Sequence, residues 1–396
     1  MAETQQLPLQ GIKVVEFTHM VMGPAAGVIF ADLGAEVTKI EPLKGDNTRR
    51  LGGSGAGYFA MYNRNKRSLC IDLKSDPGSR VAREIVAGAD ILIENFRPGA
   101  MDKLGFGYAA MAALNPRLIY CSLKGFLSGP YEHRTALDEV AQMMGGLAYM
   151  TGLPDRPMRA GSSVIDITGG MFGVIGALAA LQERQRSGRG KRITSSLYET
   201  TAFMVGQHMA QQAVTGAAPP PMSVRSSAWA VYDIFSCAGG ERVFVGVVSD
   251  TQWRAFCDAF DLAAFAADAS LDTNSGRVAQ RERIIPPIAR LFAGMQQAAL
   301  MQRLEATGLP FAPINKPEDL FDDPHLNSGA GLLPLTLPGG ERTRLPALPL
   351  EADGERFGLR RDLPRQGQHS RDTLAALGYE ETDIDQLIAA GVIGAE

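Results

Sequence analysis

Cysteine and histidine are scarce, four and five in 396 residues. Cys70, Cys121, Cys237 and Cys257 are widely separated and form no CxxC pair, which excludes a disulfide scaffold and argues against a zinc site. The histidines form no HExxH, so no metal-ligating residue is assigned. Charge of one sign is missing as well. The net charge of −4 gives no global basic field, which excludes nucleic acid as a partner. The unbroken apolar-and-glycine run Met171–Leu181 falls short of the roughly 18 residues of a membrane span. It gives way to QERQRSGRGKR and reads as a buried helix, so no membrane partner is expected. MAETQQLPLQGIK lacks the charged-then-apolar pattern of an exported protein, and the reducing cytoplasm is the default location. Nucleotide fingerprints are absent too. The loop GDNTRRLGGSGAGYF (45–59) has glycines at 52, 53, 55 and 57 without the Lys-Ser/Thr of a P-loop, and it reads as a flap. The first strand is followed by HMVMGPAAG rather than GxGxxG, which excludes a nicotinamide enzyme.

What is present is a globular composition, 45% hydrophobic and 21% charged, in a chain long enough to split into two lobes. GIKVVEFTH (11–19), EVTKIE (36–41), ADILIENF (89–96) and RLIYCSLKGF (117–126) read as strands, with GPAAGVIFADLGA and SRVAREIVAGA as helices between them. Such alternation predicts an α/β fold with a Rossmann-like, mainly parallel sheet. Residues 1–200 form the first part of this large domain, and 201–222, with three consecutive prolines, read as a linker. Residues 223–318 form a smaller α+β domain opened by the hairpin AVYDIFSCAGGERVFVGVVS, and 319–396 return to the large domain.

One carboxylate stands before the greasy run in SSVIDITGGMFGVIGALAALQ (162–182). As a helix N-cap, Asp166 would be worth about 1 kcal/mol and need no other role. Two features point further. Gly169, Gly170, Gly173 and Gly176 each cost roughly 1 kcal/mol in a helix relative to Ala. Gly170, Gly173 and Gly176 share a face, so they admit close approach by a helix or a ligand. Free N–H groups at a helix start would also keep a carboxylate ionised, and an ionised carboxylate is a nucleophile that needs no base.

The chain resembles the class III CoA-transferase family, CaiB/BaiF, over nearly its whole length. The motifs run in order: LQGIKVVEFTHMVMGPAAG, DLGAEVTKIEPLKGD, YNRNKRSLCIDLK, ADILIENFRPGAMDKLGFGY, IYCSLKGFLSGPY with ALDEVAQMMGGLAYMTG, and SVIDITGGMFGVIGALAALQERQRSGRGKRI. The resemblance makes Asp166 the catalytic aspartate, acylated in each cycle and carrying CoA as a thioester. It implies coenzyme A as part of substrate and product, with no permanently bound cofactor, and an interlocked homodimer. It places CoA against Val21, Met22, Ile71, Asp72, Leu73, Lys74, Asn95, Phe96, Arg97 and Lys103. Asn95 and Phe96 end a strand, where open α/β sheets bind ligands. Phe96 suits stacking on adenine, and Lys74, Arg97 and Lys103 suit phosphates.

Three departures from formyl-CoA transferases weaken formate or oxalate specificity. Pro42 stands where a phosphate-binding arginine is expected, Leu51 where a tryptophan is expected, and no tetraglycine flap lies near 225–240. NTRR, YNRNKRS and SSAWAVYDIF resemble the dicarboxylate branch. That branch pairs succinyl-CoA with itaconate, mesaconate, malate, citramalate or glutarate. Arg49, Arg50 and Arg225 are then candidates for the acceptor's second carboxylate, and His19 for a substrate hydrogen bond. An α-methylacyl-CoA racemase would share the fold, but Leu137 stands where its histidine is expected before Asp138, and His133 is out of register. A non-catalytic CoA-binding protein and a thioester hydrolase are the remaining alternatives.

Overall fold

Short β-branched and apolar runs build the central sheet of the chain, for which a computed structural model describes residues 7–224 and 227–396. Its strands are β1 (Lys13–Phe17), β2 (Glu36–Glu41), β3 (Lys66–Ile71), β4 (Ile91–Glu94), β5 (Ile119–Lys124) and β6 (Arg192–Ser196). A two-residue strand, Ile393–Gly394, joins antiparallel to β3, and every other pairing is parallel. The order is Ile393–Gly394, β3, β2, β1, β4, β5, β6. The chain therefore lays β2 and β3 on one side of β1 and β4 to β6 on the other, so the order reverses between β1 and β4. Crevices at such a reversal, beyond the carboxyl ends of the strands, are where open α/β sheets hold ligands.

The period-2 alternation of each strand feeds two cores. Val14, Val37, Ile91, Ile93, Cys121 and Leu123 face α1 (Met22–Asp32) and the helices that follow β5. Val15, Phe17, Leu69, Leu92 and Tyr120 face α3 (Asp76–Ala87), α4 (Ala100–Lys103) and α5 (Tyr108–Leu114), with Leu374 and Ile384 from the returning C-terminal segment. The short α2 (Tyr58–Tyr62) follows the glycine loop. After β5 come α6 (Asp138–Met144), α7 (Leu147–Thr151) and α8 (Val164–Ser187), and after β6 comes α9 (Leu197–Thr215).

α8 is buried on one face only, a correction to the fully buried helix expected from its composition. A Cβ at Gly170 would fall 2.7 Å from the Met22 carbonyl oxygen, one at Gly173 2.6 Å from Leu123, and one at Gly176 2.6 Å from Ile193. The glycine stripe thus admits α1 and the sheet, not a ligand. On the other face Met171, Phe172 and Ile175 are exposed. By length and composition α8 is long and apolar enough to cross a membrane, alone among the described residues.

The stretch 201–222 is likewise not a linker, since α9 occupies most of it. Ser196 caps α9 by accepting from the Glu199 N–H, and its Ala, Met and Gln residues sustain the helix. It ends where Gly216 takes a left-handed conformation, φ 71°.

The chain divides into two compact units, Met1–Val224 with Pro324–Glu396, and Arg225–Asp323. The second contains β7 (Tyr232–Ser236), β8 (Arg242–Gly246) and β9 (Phe311–Pro313) in one antiparallel sheet, β7 and β8 forming the hairpin read from the sequence. Trp253, Phe256, Phe260 and Phe292, from flanking helices, fill its core with Phe235.

Candidate active site

Three loops meet where the strand order reverses: the one leaving β1, the one leaving β4 and the one leaving β5. Together with Tyr58, the 134–139 segment, Arg159 and the start of α8 they line a cleft of about 420 Å³ that contains Asp166. Asn95 ties the β1 and β4 loops together. Its Oδ1 accepts from His19 N at 3.0 Å and its Nδ2 donates to His19 O at 2.9 Å. Met20 takes a left-handed conformation, φ 63°, and donates its N–H to Thr48 Oγ1 at 3.0 Å. This strain turns the chain back into α1, placing Val21 and Met22 on the cleft wall.

Buried charge beneath α1 fixes this loop. Lys39 donates to Thr18 O at 2.7 Å and Lys66 to Pro24 O at 3.0 Å. Both ammonium groups pair with Glu16, at 3.3 and 2.9 Å, and Lys39 also pairs with Asp46 at 3.0 Å. Burial pushes the Lys66 ammonium down to about 8 despite Glu16. Burial pulls on Lys39 as well, but Glu16 and Asp46 outweigh it and hold Lys39 above its usual value.

Asp166 is not the N-cap of α8. Ser163 holds that position and Asp166 lies in the first turn. The expectation that helix N–H groups would keep it ionised also fails, because Asp138 takes them. Asp138 Oδ2 accepts from Ile165 N at 2.9 Å and from Asp166 N at 3.1 Å. Its Oδ1 accepts from Gln142 Nε2 at 2.6 Å and pairs with Arg159 at 3.2 Å. The Asp166 carboxylate, by contrast, has no hydrogen-bond or ion-pair partner among the described residues. Its carboxyl is pushed up to about 7, first by burial and next by the charge of Asp138, with Arg159 opposing. Tyr62, on α2, is pushed up to about 12 by burial and by Asp166. His19 is solvent-accessible yet enclosed by the cleft walls, and that desolvation lowers its pKa.

The remaining sequence candidates separate into groups. Val21, Met22, Asn95, Phe96, Arg97 and His19 line the cleft. The Phe96 ring lies 5.5 Å from that of His19. Ile71, Asp72, Leu73 and Lys74 stand at the carboxyl end of β3, and Lys103 is exposed at the end of α4. None of these five lines the cleft. Arg49 is committed elsewhere. It grips Glu41 at 2.6 and 2.7 Å, donates to Pro364 O at 2.8 Å, and lies 3.9 Å over the Phe59 ring. Arg50 is exposed and bonds Lys44 O and Asn47. Arg225 lies outside the described residues. His133 lines an adjoining cavity of about 580 Å³. Among the described residues no cluster of His, Cys, Asp and Glu is placed to hold a metal ion. The sequence reading missed the roles of Asp138, Gln142 and Arg159. It also missed Arg134, which lines the cleft and stacks 4.2 Å over Tyr131 with no carboxylate partner among the described residues.

Comparison with known proteins bears on the family and the fold. A model of CoA-transferase family III matches residues 9–370. The succinate–glutarate CoA-transferase of Agrobacterium fabrum is 32% identical over 385 residues, 93% of this chain and 96% of that one. The acetyl-CoA:oxalate CoA-transferase of Acetobacter aceti is 33% identical, covering 83% of this chain and 87% of that one. The crystal structure of a CaiB/BaiF family protein from Brucella suis aligns with a TM-score of 0.83 at 32% identity, over 94% of this chain and all of that one.

Proposed function

Since the chain belongs to CoA-transferase family III, we propose that it moves CoA from an acyl-CoA donor such as succinyl-CoA to a free dicarboxylic acid, with Asp166 as the nucleophile. The observation that carries this reading is the unpartnered, half-buried Asp166 carboxylate facing the cleft. A carboxylate that no cation or N–H stabilises keeps its electron density for attack.

In the first step an Asp166 oxygen adds to the donor's thioester carbonyl and CoA leaves as thiolate, forming a mixed anhydride. The thiolate then attacks the aspartyl carbonyl and the donor acid leaves as carboxylate, giving an aspartyl-CoA thioester. The acceptor carboxylate attacks that thioester, again expelling thiolate. The thiolate finally attacks the acceptor's carbonyl, releasing the new acyl-CoA and restoring Asp166. Splitting the exchange this way replaces one difficult displacement with four easier ones.

CoA is substrate and product here, not a resident cofactor. We assign its thioester end to Val21, Met22 and Asn95, its adenine to Phe96, and its phosphates to Lys74, Arg97 and Lys103 with the 71–74 turn. Both named relatives act on a dicarboxylic acid, glutarate in one and oxalate in the other. Of the acceptor candidates read from the sequence, His19 lines the cleft, and we add Arg134 as the cation for the acceptor's distal carboxylate. The reading includes a cytoplasmic, interlocked homodimer. The exposed apolar faces of α8 and α9, where Phe203, Met209 and Val214 are 72, 63 and 85% exposed, suit a second copy.

An acceptor labelled with 18O in its carboxylate tests the nucleophile. Turnover should move label into the Asp166 side chain, read as a mass shift on the peptide containing it. Label that stays out of that peptide during turnover removes Asp166 from the reaction. A panel of donors and diacids read by mass spectrometry then ranks itaconate, mesaconate, malate, citramalate, glutarate and oxalate.

A further inference from the structure

α8 begins beside the reacting carboxylate, and its first amide donors are not available to that carboxylate. Asp138 reaches them from α6, 28 residues earlier in the chain, with contacts of 2.9 and 3.1 Å to Ile165 N and Asp166 N. Asp138 is itself buried and held from two further sides. Gln142 donates to it at 2.6 Å, and the same Gln142 side chain accepts from Ala160 N at 2.8 Å, so α6 is stitched to the segment entering α8. Arg159 completes the set at 3.2 Å.

We propose that Asp138 is a positioning residue for the transfer reaction: it occupies the amide donors at the start of α8, anchoring Asp166 through its backbone while leaving the Asp166 carboxylate without a stabilising partner. The inference rests on Asp166 being the nucleophile. Donors at a helix start would otherwise stabilise the free carboxylate and blunt its attack. Saturated by Asp138, they bring a second negative charge near it instead. That charge favours every state in which Asp166 is neutral. The anhydride and the aspartyl-CoA thioester are both neutral at position 166, so Asp138 tilts the cycle toward its covalent intermediates.

Other charges face Asp166 from every wall of the cleft. Glu139 stands beside Asp138 on α6, Arg134 on the segment before it, and Arg159 on the segment before α8. Lys124, Arg97, His19 and Tyr58 line the cleft, and Tyr62 on α2 also feels Asp166. Lys124 is engaged with Glu94 at 2.7 Å, and burial in the cleft lowers the pKa of His19.

The test uses the full chain with succinyl-CoA and no acceptor, quenched rapidly and mapped by peptide mass, together with the pH profile of kcat/KM. Asp138→Asn removes the charge and nearly keeps the shape. Its acid limb should move down by roughly one pH unit, and the equilibrium amount of Asp166 adduct should fall by roughly tenfold. Arg159→Gln leaves the Asp138 cap in place and removes the opposing cation. Its limb should move up, and it carries the test if Asp138→Asn does not fold. A purely structural role would change yield or melting temperature without moving either limb. An unmoved limb in Asp138→Asn, or a limb that stays or falls in Arg159→Gln, overturns the proposal while the nucleophile assignment survives. Wild-type protein that turns over without any adduct at Asp166 ends both.

Discussion

Two clusters of buried charge lie in the same α/β unit, and they are built in opposite ways. Beneath α1, Glu16, Lys39, Lys66 and Asp46 close on one another and on backbone carbonyls. At the start of α8, Asp138 has four partners, and the carboxylate of Asp166 beside it has none among the described residues. A closed cluster is scaffold: its charges are satisfied, and it holds the β1 loop in a strained turn. An open cluster holds free energy at one atom, available to whatever substrate relieves it. The contrast separates the charges that build this cleft from the one proposed to react in it.

The largest expected effect comes from filling the open position. Asp166→Asn should lower transfer by at least about 10⁴-fold, since no second nucleophile takes over. The same change should stabilise the fold in a pH-dependent way. Asp166 is raised to about 7 in the folded chain, against roughly 3.9 in the unfolded one. Below about pH 4 both states carry the proton, so the variant and the parent melt alike. Between those values the native state retains a proton the unfolded chain has released, so the parent loses stability as pH rises toward 7. Above 7 the deficit is constant. Asp166→Asn should therefore melt a few degrees above the parent at pH 8 and level with it near pH 4. A parent that melts as high as the variant at pH 8 would show that Asp166 is not strained at all.

Breaking the closed cluster should act on stability instead. Glu16→Gln leaves the buried Lys66 ammonium with no carboxylate partner among the described residues and Lys39 paired with Asp46, and loss of one member of a buried pair costs about 3–5 kcal/mol. Denaturant unfolding should show that loss, with the residual folded protein keeping its adduct-forming ability. Activity that collapses while stability holds would move Glu16 out of the scaffold.

The sequence showed the sheet where its strands are greasy and concealed it where they are not. β1, β4 and β5 carry β-branched or apolar residues at most positions, and β2 alternates them with charged ones. β3 and β6, KRSLCI and RITSS, are not among the strands read from the sequence; each carries polar residues, Lys66 and Ser195, that meet partners supplied from elsewhere in the chain. Glu16 and Lys66 are 50 residues apart, and no periodicity announces such a pair. Separation along the chain, 28 residues from Asp166, hid Asp138 as well. Asp166 was legible as a carboxylate at a helix start, but its lack of a partner depends on which residue reaches that start first, and only the fold decides that. α9 was masked by the prolines that follow it, which signal where a helix cannot continue but not how far it has run.

The smallest expected effect concerns the two arginines of the glycine loop, which look equivalent in NTRR. Arg49 belongs to the closed kind of chemistry, bidentate on Glu41 with a side chain 10% exposed. Arg50 is exposed and, among the described residues, bonds only Lys44 O and Asn47 Oδ1, at 2.7 and 3.1 Å. Removing such a surface contact typically changes stability by less than about 0.5 kcal/mol. Arg50 also lies outside the cleft lining, so Arg50→Ala should leave the KM for a diacid acceptor within roughly twofold, little more than 0.4 kcal/mol on the scale where tenfold is 1.4. Arg134→Ala, by contrast, removes a cation that lines the cleft and should raise that KM while sparing monocarboxylate acceptors. A reversal of this order, with Arg50→Ala raising the diacid KM at unchanged kcat, would show that the glycine loop closes over the cleft when substrate binds. The acceptor's second carboxylate would then belong to a charge that stands apart from the site in the unliganded chain.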